Sequence, residues 1–260
     1  MAPSAVIELR CYGPLNDFLP LALRGRSFRR RLFGTPAVKD VIEAAGIPHP
    51  EVEVVLVNGT AVPFGHRLAP GDRVAVYPPF RSLDLDAVVR ADPRRVTGGE
   101  PQFVLDGHLG RLAAYLRLAG FDTLYRRDAE DDGLARLAAD GRILLTRDIG
   151  LLKRSAVVRG AFVRSDRPAD QLVETFRRFD LATAVRPFAR CLRCNRLLEP
   201  VEREAVRDLV PTRVYREQAA FRRCPQCGGL FWRGSHVARM ARLLERTLRA
   251  AAGPDCKPLQ

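Results

Sequence analysis

Long apolar runs are missing from this chain: no stretch approaches the roughly 20 residues that a helix needs to cross a bilayer. Also missing at the N-terminus is a basic segment followed by an apolar one and a small-residue cleavage site, the marks of a secretory leader. A membrane partner is therefore not expected, and the cytoplasm is the expected location. Internal repeats and low-complexity tracts are absent too, which excludes a repeat array. What is present is globular: 47% of the 260 residues are hydrophobic and 28% charged, with apolar residues spread over the whole length. That length suits two or three small domains, since single domains hold about 100 to 200 residues.

Acidic residues are too few to balance the basic ones, 30 against 43, for a net charge of +13. The excess is concentrated late in the chain: residues 187–260 carry 15 basic and 7 acidic side chains, against 10 and 8 in residues 1–84. Such a balance suits a polyanion, because Arg and Lys neutralise phosphates and release counterions. The competing explanation is base composition, since nearly all the basic residues are Arg, as in a GC-rich genome.

Residues 4–80 read as a small strand-rich unit with one main helix. An alternating run at Val6–Cys11 and runs at Val52–Val57 and Arg73–Tyr77 suggest strands, Ala37–Ala45 a helix, and Asn58-Gly59 a turn. Residues 85–101, with Asp92-Pro93 and Thr97-Gly98-Gly99, suggest a linker. Over 102–186 strands and helices alternate, which predicts a parallel sheet with helices on both faces. Its strands are expected at Phe103–Leu105, Phe121–Tyr125, Ile143–Thr146 and Ala161–Arg164. The helices are expected at Leu109–Ala119, from Asp131 or Asp132 to Ala139, near Leu151–Arg154, and at Ala169–Phe179. The remainder, 187–260, holds two cysteine knuckles, an Arg-rich strand-like segment between them, and a helix from Ser235 to about Ala251 stopped by Gly253-Pro254.

The six cysteines divide into Cys11 and Cys256, expected as free thiols, and two CxxC pairs. Cys191 and Cys194, and likewise Cys224 and Cys227, have two residues between them, so that a tight turn can aim both sulfurs at one tetrahedral ion. Gly228 and Gly229 allow the second turn a positive φ. Structural zinc (Zn²⁺) is the expected occupant; a redox dithiol is the alternative. A closed four-sulfur site has no open position for catalysis.

Ligands of open α/β sheets bind beyond the carboxyl ends of the strands, and Asp106 and Asp148 both stand at such ends. Asp128, Asp131 and Asp132 follow the strand between them. Clustered carboxylates suit hard cations such as Mg²⁺ or Mn²⁺, although Asp131 and Asp148 could equally cap helices. Leu105-Asp106-Gly107 does not suit a phosphoaspartyl enzyme, because His108 stands where a second Asp is usual. His108 and His236 are secondary candidates as bases. Arg111, Arg117, Arg147 and Lys153 flank the proposed site and could contact phosphates.

The stretch Phe103–Thr123, together with Gly141–Asp148, Arg190–Asn195, Arg223–Gly228 and Phe231–His236, resembles the Mut-seven C-terminal RNase domain family, a PIN-like nuclease fold with a zinc ribbon. The resemblance implies metal-dependent RNA cleavage. Asp106, Asp131 and Asp148 then stand at the catalytic positions as Mg²⁺ or Mn²⁺ ligands, and Arg111, Arg147 and Lys153 are the expected substrate contacts. Residues 1–84 are similar to the ubiquitin-like, β-grasp module that accompanies this nuclease domain in bacteria. Sulfur carriers of that fold work through a free C-terminal Gly-Gly, whereas Gly98-Gly99 lies inside this chain, so a docking role is expected instead. The expected architecture is thus α/β: a β-grasp domain at 1–84, a PIN-like domain at 102–186 and a zinc ribbon with a C-terminal helix at 187–260. RNA is the expected partner and ribonuclease the expected activity. A non-catalytic RNA-binding or ribosome-associated adaptor is the alternative, and oligomeric state is not readable.

Overall fold

The computed structural model describes residues 5–79 and 100–252. Residues 85–99 of the expected linker, with its Gly98-Gly99, the Gly253-Pro254 stop and Cys256 lie outside the described residues, as do the side chains of His236 and its neighbours in 235–239. Packing gathers the chain into two compact units, one of residues 1–97 and 138–162, the other of 98–137 and 163–260.

In the first unit, β1 (Val6–Cys11), β2 (Phe28–Arg31), β3 (Val54–Val57), β4 (Thr60–Ala61) and β5 (Arg73–Tyr77) form a mixed sheet. Its order is β2-β1-β5-β3-β4. The two strands at its centre, β1 and β5, run parallel, and the other pairs are antiparallel. Alternation fixes which side is buried: Ile7, Leu9 and Cys11 point into the core while Glu8 and Arg10 face out, as a period of two requires. Helix α1 (Val38–Ala44) covers the inner face with Val38, Val41 and Ile42. The turn between β3 and β4 has φ of 52° at Asn58 and 86° at Gly59, the left-handed pair of a two-residue hairpin. This is the β-grasp arrangement, one helix held in the hand of a mixed sheet.

Strand β2 was not expected. Its sequence, Phe-Arg-Arg-Arg, carries one apolar residue, and it becomes a strand because β1 offers it an antiparallel edge.

The second sheet has four strands in the order β7-β6-β8-β9: β6 (Phe103–Leu105), β7 (Thr123–Tyr125), β8 (Ile143–Thr146) and β9 (Gly160–Phe162). The pairs β6–β7 and β8–β9 are parallel. Every residue of β6 and β8 is buried, as expected for a parallel strand covered on both sides. Helices α2 (Gly110–Leu118), α3 (Asp131–Ala139), α4 (Ile149–Leu152) and α5 (Pro168–Phe179) connect or follow the strands, each within a few residues of its expected bounds.

Within the first unit, β9 and its approach are tied to the β-grasp fold by specific bonds. The Phe162 amide donates to Glu51 Oε1 at 2.7 Å, Lys153 Nζ donates to the Glu43 carbonyl at 2.7 Å, and the Phe162 ring packs edge-on to Phe18. His49, 4% exposed, sits between Glu43 and the Val157 carbonyl at 2.7 and 2.8 Å. Burial lowers its pKa, and the hydrogen bond to Glu43 opposes that shift.

The second unit closes with β10 (Glu199–Val201), β11 (Phe221–Arg223) and β12 (Leu230–Trp232), an antiparallel sheet in that order. A short helix, α6 (Thr212–Glu217), interrupts the segment expected to be strand-like. The final helix α7 (Ser235–Ala252) packs on α5, and Arg177 caps it by donating from Nε and Nη2 to the Ala250 carbonyl at 3.2 and 2.6 Å. None of the described helices is long and apolar enough to cross a membrane.

Candidate functional site

The cysteine knuckles form before β10 and between β11 and β12. In the first, the Cys191 amide bonds the Arg196 carbonyl and the Asn195 amide bonds back to the Cys191 carbonyl; in the second, Cys224 and Gly229 and then Gly228 and Cys224 repeat the pattern. Asn195 at φ 65° and Gly228 at φ 68° occupy the same left-handed place after each CxxC. Glycine suits that conformation for lack of a Cβ, and asparagine is among the side chains that tolerate it.

The four sulfurs lie within 4.8 Å of one another, and those of Cys191 and Cys227 are 3.8 Å apart. Four thiolates bound to one zinc at about 2.3 Å stand about 3.8 Å apart on a tetrahedron, so the site fits that ion. The Gly229 amide, and then neighbouring thiols, pull the Cys227 thiol down to about 7. Cys194 is pushed up to about 12, first by its hydrogen bond with Cys227 and then by burial. Burial raises Cys191. Cys11 is a different case: desolvation in the β-grasp core holds its thiol at about 12, as expected for an inert packing residue.

The first knuckle is bolted to α2 and β7 by residues that sequence reasoning did not single out or placed elsewhere. Arg117, considered above as a phosphate contact, is 7% exposed and turns inward. Its Nε donates to the Thr123 carbonyl at 3.0 Å, and its Nη1 to the carbonyls of Leu192 and Arg193 at 2.9 and 3.1 Å. Asn195 accepts the Thr123 amide on Oδ1 at 3.0 Å and donates from Nδ2 to Asp122 at 2.9 Å. Arg190 adds a bond to the Gly120 carbonyl at 2.9 Å. The one sequence signal for Asn195 was its position after CxxC, where Gly228 stands in the other knuckle.

The expected carboxylates each occupy a defined place. Asp106 follows β6, is buried, and accepts the His108 amide on Oδ1 at 2.9 Å. Its loop is pinned: the Tyr125 hydroxyl donates to the Gly107 carbonyl at 3.1 Å, and a Cβ on Gly107 would collide with the Arg127 carbonyl. Asp148 follows β8, is exposed, and caps α4, its Oδ1 accepting the amides of Gly150 and Leu151 at 2.6 and 3.2 Å. The capping role weighed for it above is therefore real. Asp131, exposed, opens α3 together with Asp132, where negative charge complements the helix dipole. Arg111 and Arg147 are exposed, while Lys153 Nζ donates a hydrogen bond to the Glu43 backbone carbonyl. Among the described residues, the group of potential metal ligands brought within reach of one ion is the four cysteines.

Residues 4–84 match the family model described as Mut7-C ubiquitin. Two crystal structures resemble the same part of the chain. One, the small archaeal modifier protein 1 of H. volcanii, is 24% identical; the match covers 29% of this chain and 99% of that one, at a TM-score of 0.25. The other, described as SAMP1 from Haloferax volcanii, is 23% identical over 29% of this chain and 96% of that one, at a TM-score of 0.24. No curated protein matches. Residues 101–244, more than half of the sequence, match the family model described as Mut7-C RNAse domain, and the chain belongs to that family.

Proposed function

We propose that this protein is a metal-dependent ribonuclease whose carboxylate site is formed by Asp106, Asp131 and Asp148, with Cys191, Cys194, Cys224 and Cys227 holding a structural zinc. The observation that carries the reading is the match of residues 101–244 to an RNase-domain family. It is supported by the position of Asp106 and Asp148, each just past the carboxyl end of a strand of the parallel sheet, where such sheets bind ligands. A Mg²⁺ or Mn²⁺ ion bound there would activate water and stabilise the leaving oxygen of a phosphodiester.

The chain's own residues supply the rest. Asp106, anchored by the His108 amide and by the pinned Gly107 loop, presents a carboxylate in a fixed position. Asp148 commits one oxygen to the α4 amides, which orients the other. Arg111 and Arg147, both exposed, would draw in a phosphate backbone, and Lys153, already donating to the Glu43 carbonyl, would contribute only its other N–H groups. The cap on α4 also favours a second reading, a non-catalytic RNA-binding adaptor in which Asp148 is structural.

Asp148→Asn separates the two, because Asn still accepts the α4 amides and is as good a cap but carries no charge. Single-stranded RNA is incubated with Mn²⁺ and either protein. We expect cleavage to fall by more than about 100-fold, since even groups that only orient metal ligands are worth about 10- to 100-fold. Equal cleavage by both proteins would sink the assignment.

A further inference from the structure

We propose that the outer face of the β-grasp sheet is a binding platform for single-stranded RNA. The inference rests on the ribonuclease reading for its choice of polymer, and on the following geometry for its place. Because Ile7, Leu9 and Cys11 fill the core, the alternate residues of β1, Glu8, Arg10 and then Tyr12, lie on the opposite side. Strand register adds neighbours to that side: Arg29 and Arg73 stand opposite Glu8, Arg31 opposite Val6, Ala75 opposite Arg10, and Leu56 opposite Ala75. Four arginines, all exposed, therefore share a face with one glutamate of β1. Asp72, at the sheet's end, is turned into the hairpin loops, accepting from Asn58 Nδ2 and the Ala69 amide at 2.8 Å each.

Aromatic rings complete the surface. Tyr12 and Tyr77 stack at 4.4 Å with their planes 5° apart, and the Arg10 guanidinium lies 5.1 Å from the Tyr12 ring centre. Beyond β2, Arg31 lies 6.0 Å from the centre of the Phe33 ring, which is 83% exposed. A concavity of about 470 Å³ opens on the face, lined by Glu8, Arg10, Tyr12, Leu56, Arg73 and Tyr77 among others. Flat rings beside guanidinium groups match what a single strand offers: bases with π faces to stack, and phosphates to pair with arginine. In a duplex the bases are already stacked on one another, so the rings have nothing to receive.

The test uses the full-length, zinc-loaded chain and a fluorescein-labelled twelve-residue oligouridine, without added divalent cations so that no cleavage intrudes. Fluorescence anisotropy is read against salt concentration. We expect the Arg10→Glu/Arg73→Glu double variant to bind at least about tenfold more weakly, with a salt slope shallower by about 1.4, the loss of two single-strand phosphate contacts. The Tyr12→Leu/Tyr77→Leu variant should bind more weakly with its slope unchanged, because stacking releases no counterions. All four side chains lie outside the core, and ultraviolet crosslinking of the wild-type chain to oligouridine needs no variant: the adducts should map to peptides holding Tyr12 or Tyr77. Unchanged affinity in either variant, or crosslinks confined to other peptides, overturns the proposal, including the case in which this face docks another protein. Loss of RNA binding alongside undiminished cleavage by Asp148→Asn would instead uphold the platform and discard the carboxylate site.

Discussion

Arg117 carries much of the connection between the first knuckle and the sheet. Three backbone carbonyls accept from its guanidinium in a nearly dry environment. Burial lowers its pKa, and the Cys191 and Cys194 thiols beside it act in the opposite direction. Hydrogen bonds to a charged donor are worth about 1.5 to 3 kcal/mol each. Arg117→Met should therefore lower the unfolding free energy by about 3 kcal/mol or more, read from urea denaturation. Arg117→Lys should recover only part, because a single ammonium cannot reproduce the planar fork. A loss below about 0.5 kcal/mol, the usual size of a surface change, would contradict the role. The sequence did not reveal this strut: on a helix wheel Arg117 looks like any charged residue, and its burial depends on a loop 75 residues further on. The places of Asp106 and Asp148 just after strands were legible, because each closes an apolar run. The competing capping role of Asp148 was legible as well, since a short helix had to start there.

At the scale of elements, the cysteine spacing revealed the four-sulfur cluster, and the alternation of Val6–Cys11 revealed the core strand of the β-grasp sheet. Strand β2 and helix α6 escaped notice for related reasons. The former has one apolar residue and the latter buries none, so neither shows the periodicity by which elements are found. The knuckles also support a prediction about pH. Without metal, the hydrogen bond to Cys227 and then burial push the Cys194 thiol up to about 12 and burial raises Cys191, whereas the Gly229 amide pulls Cys227 down to about 7. Zinc takes thiolates, so binding must expel those protons and affinity must fall as the pH falls. Calorimetry in buffers of different ionisation enthalpy should show about two or more protons released per zinc at pH 7. Removing the metal should also free the Thr123 amide, which Asn195 holds, and so speed its hydrogen exchange. Release of no protons, or an unchanged Thr123 amide, would contradict a zinc site coupled to β7.

On the scale of the whole molecule, each outer strand of the four-stranded sheet has a polar side chain bonded to its backbone. In β9 the Phe162 amide is taken by Glu51, and in β7 the Thr123 amide by Asn195. Unpaired edges invite association with other chains, and each of these side chains occupies part of one edge. The order of modules was readable in the sequence, but these contacts were not, because Glu51 and Asn195 bond across about 110 and 70 residues of chain. The central claim, that Asp106, Asp131 and Asp148 hold a divalent cation that cleaves RNA, is tested most directly by Mn²⁺ electron paramagnetic resonance on the zinc-loaded chain, with cleavage followed in the same samples. The account predicts Mn²⁺ bound by the wild type, and both the bound signal and RNA cleavage lost together in Asp106→Asn. Mn²⁺ binding and cleavage that persist unchanged in that variant would contradict it.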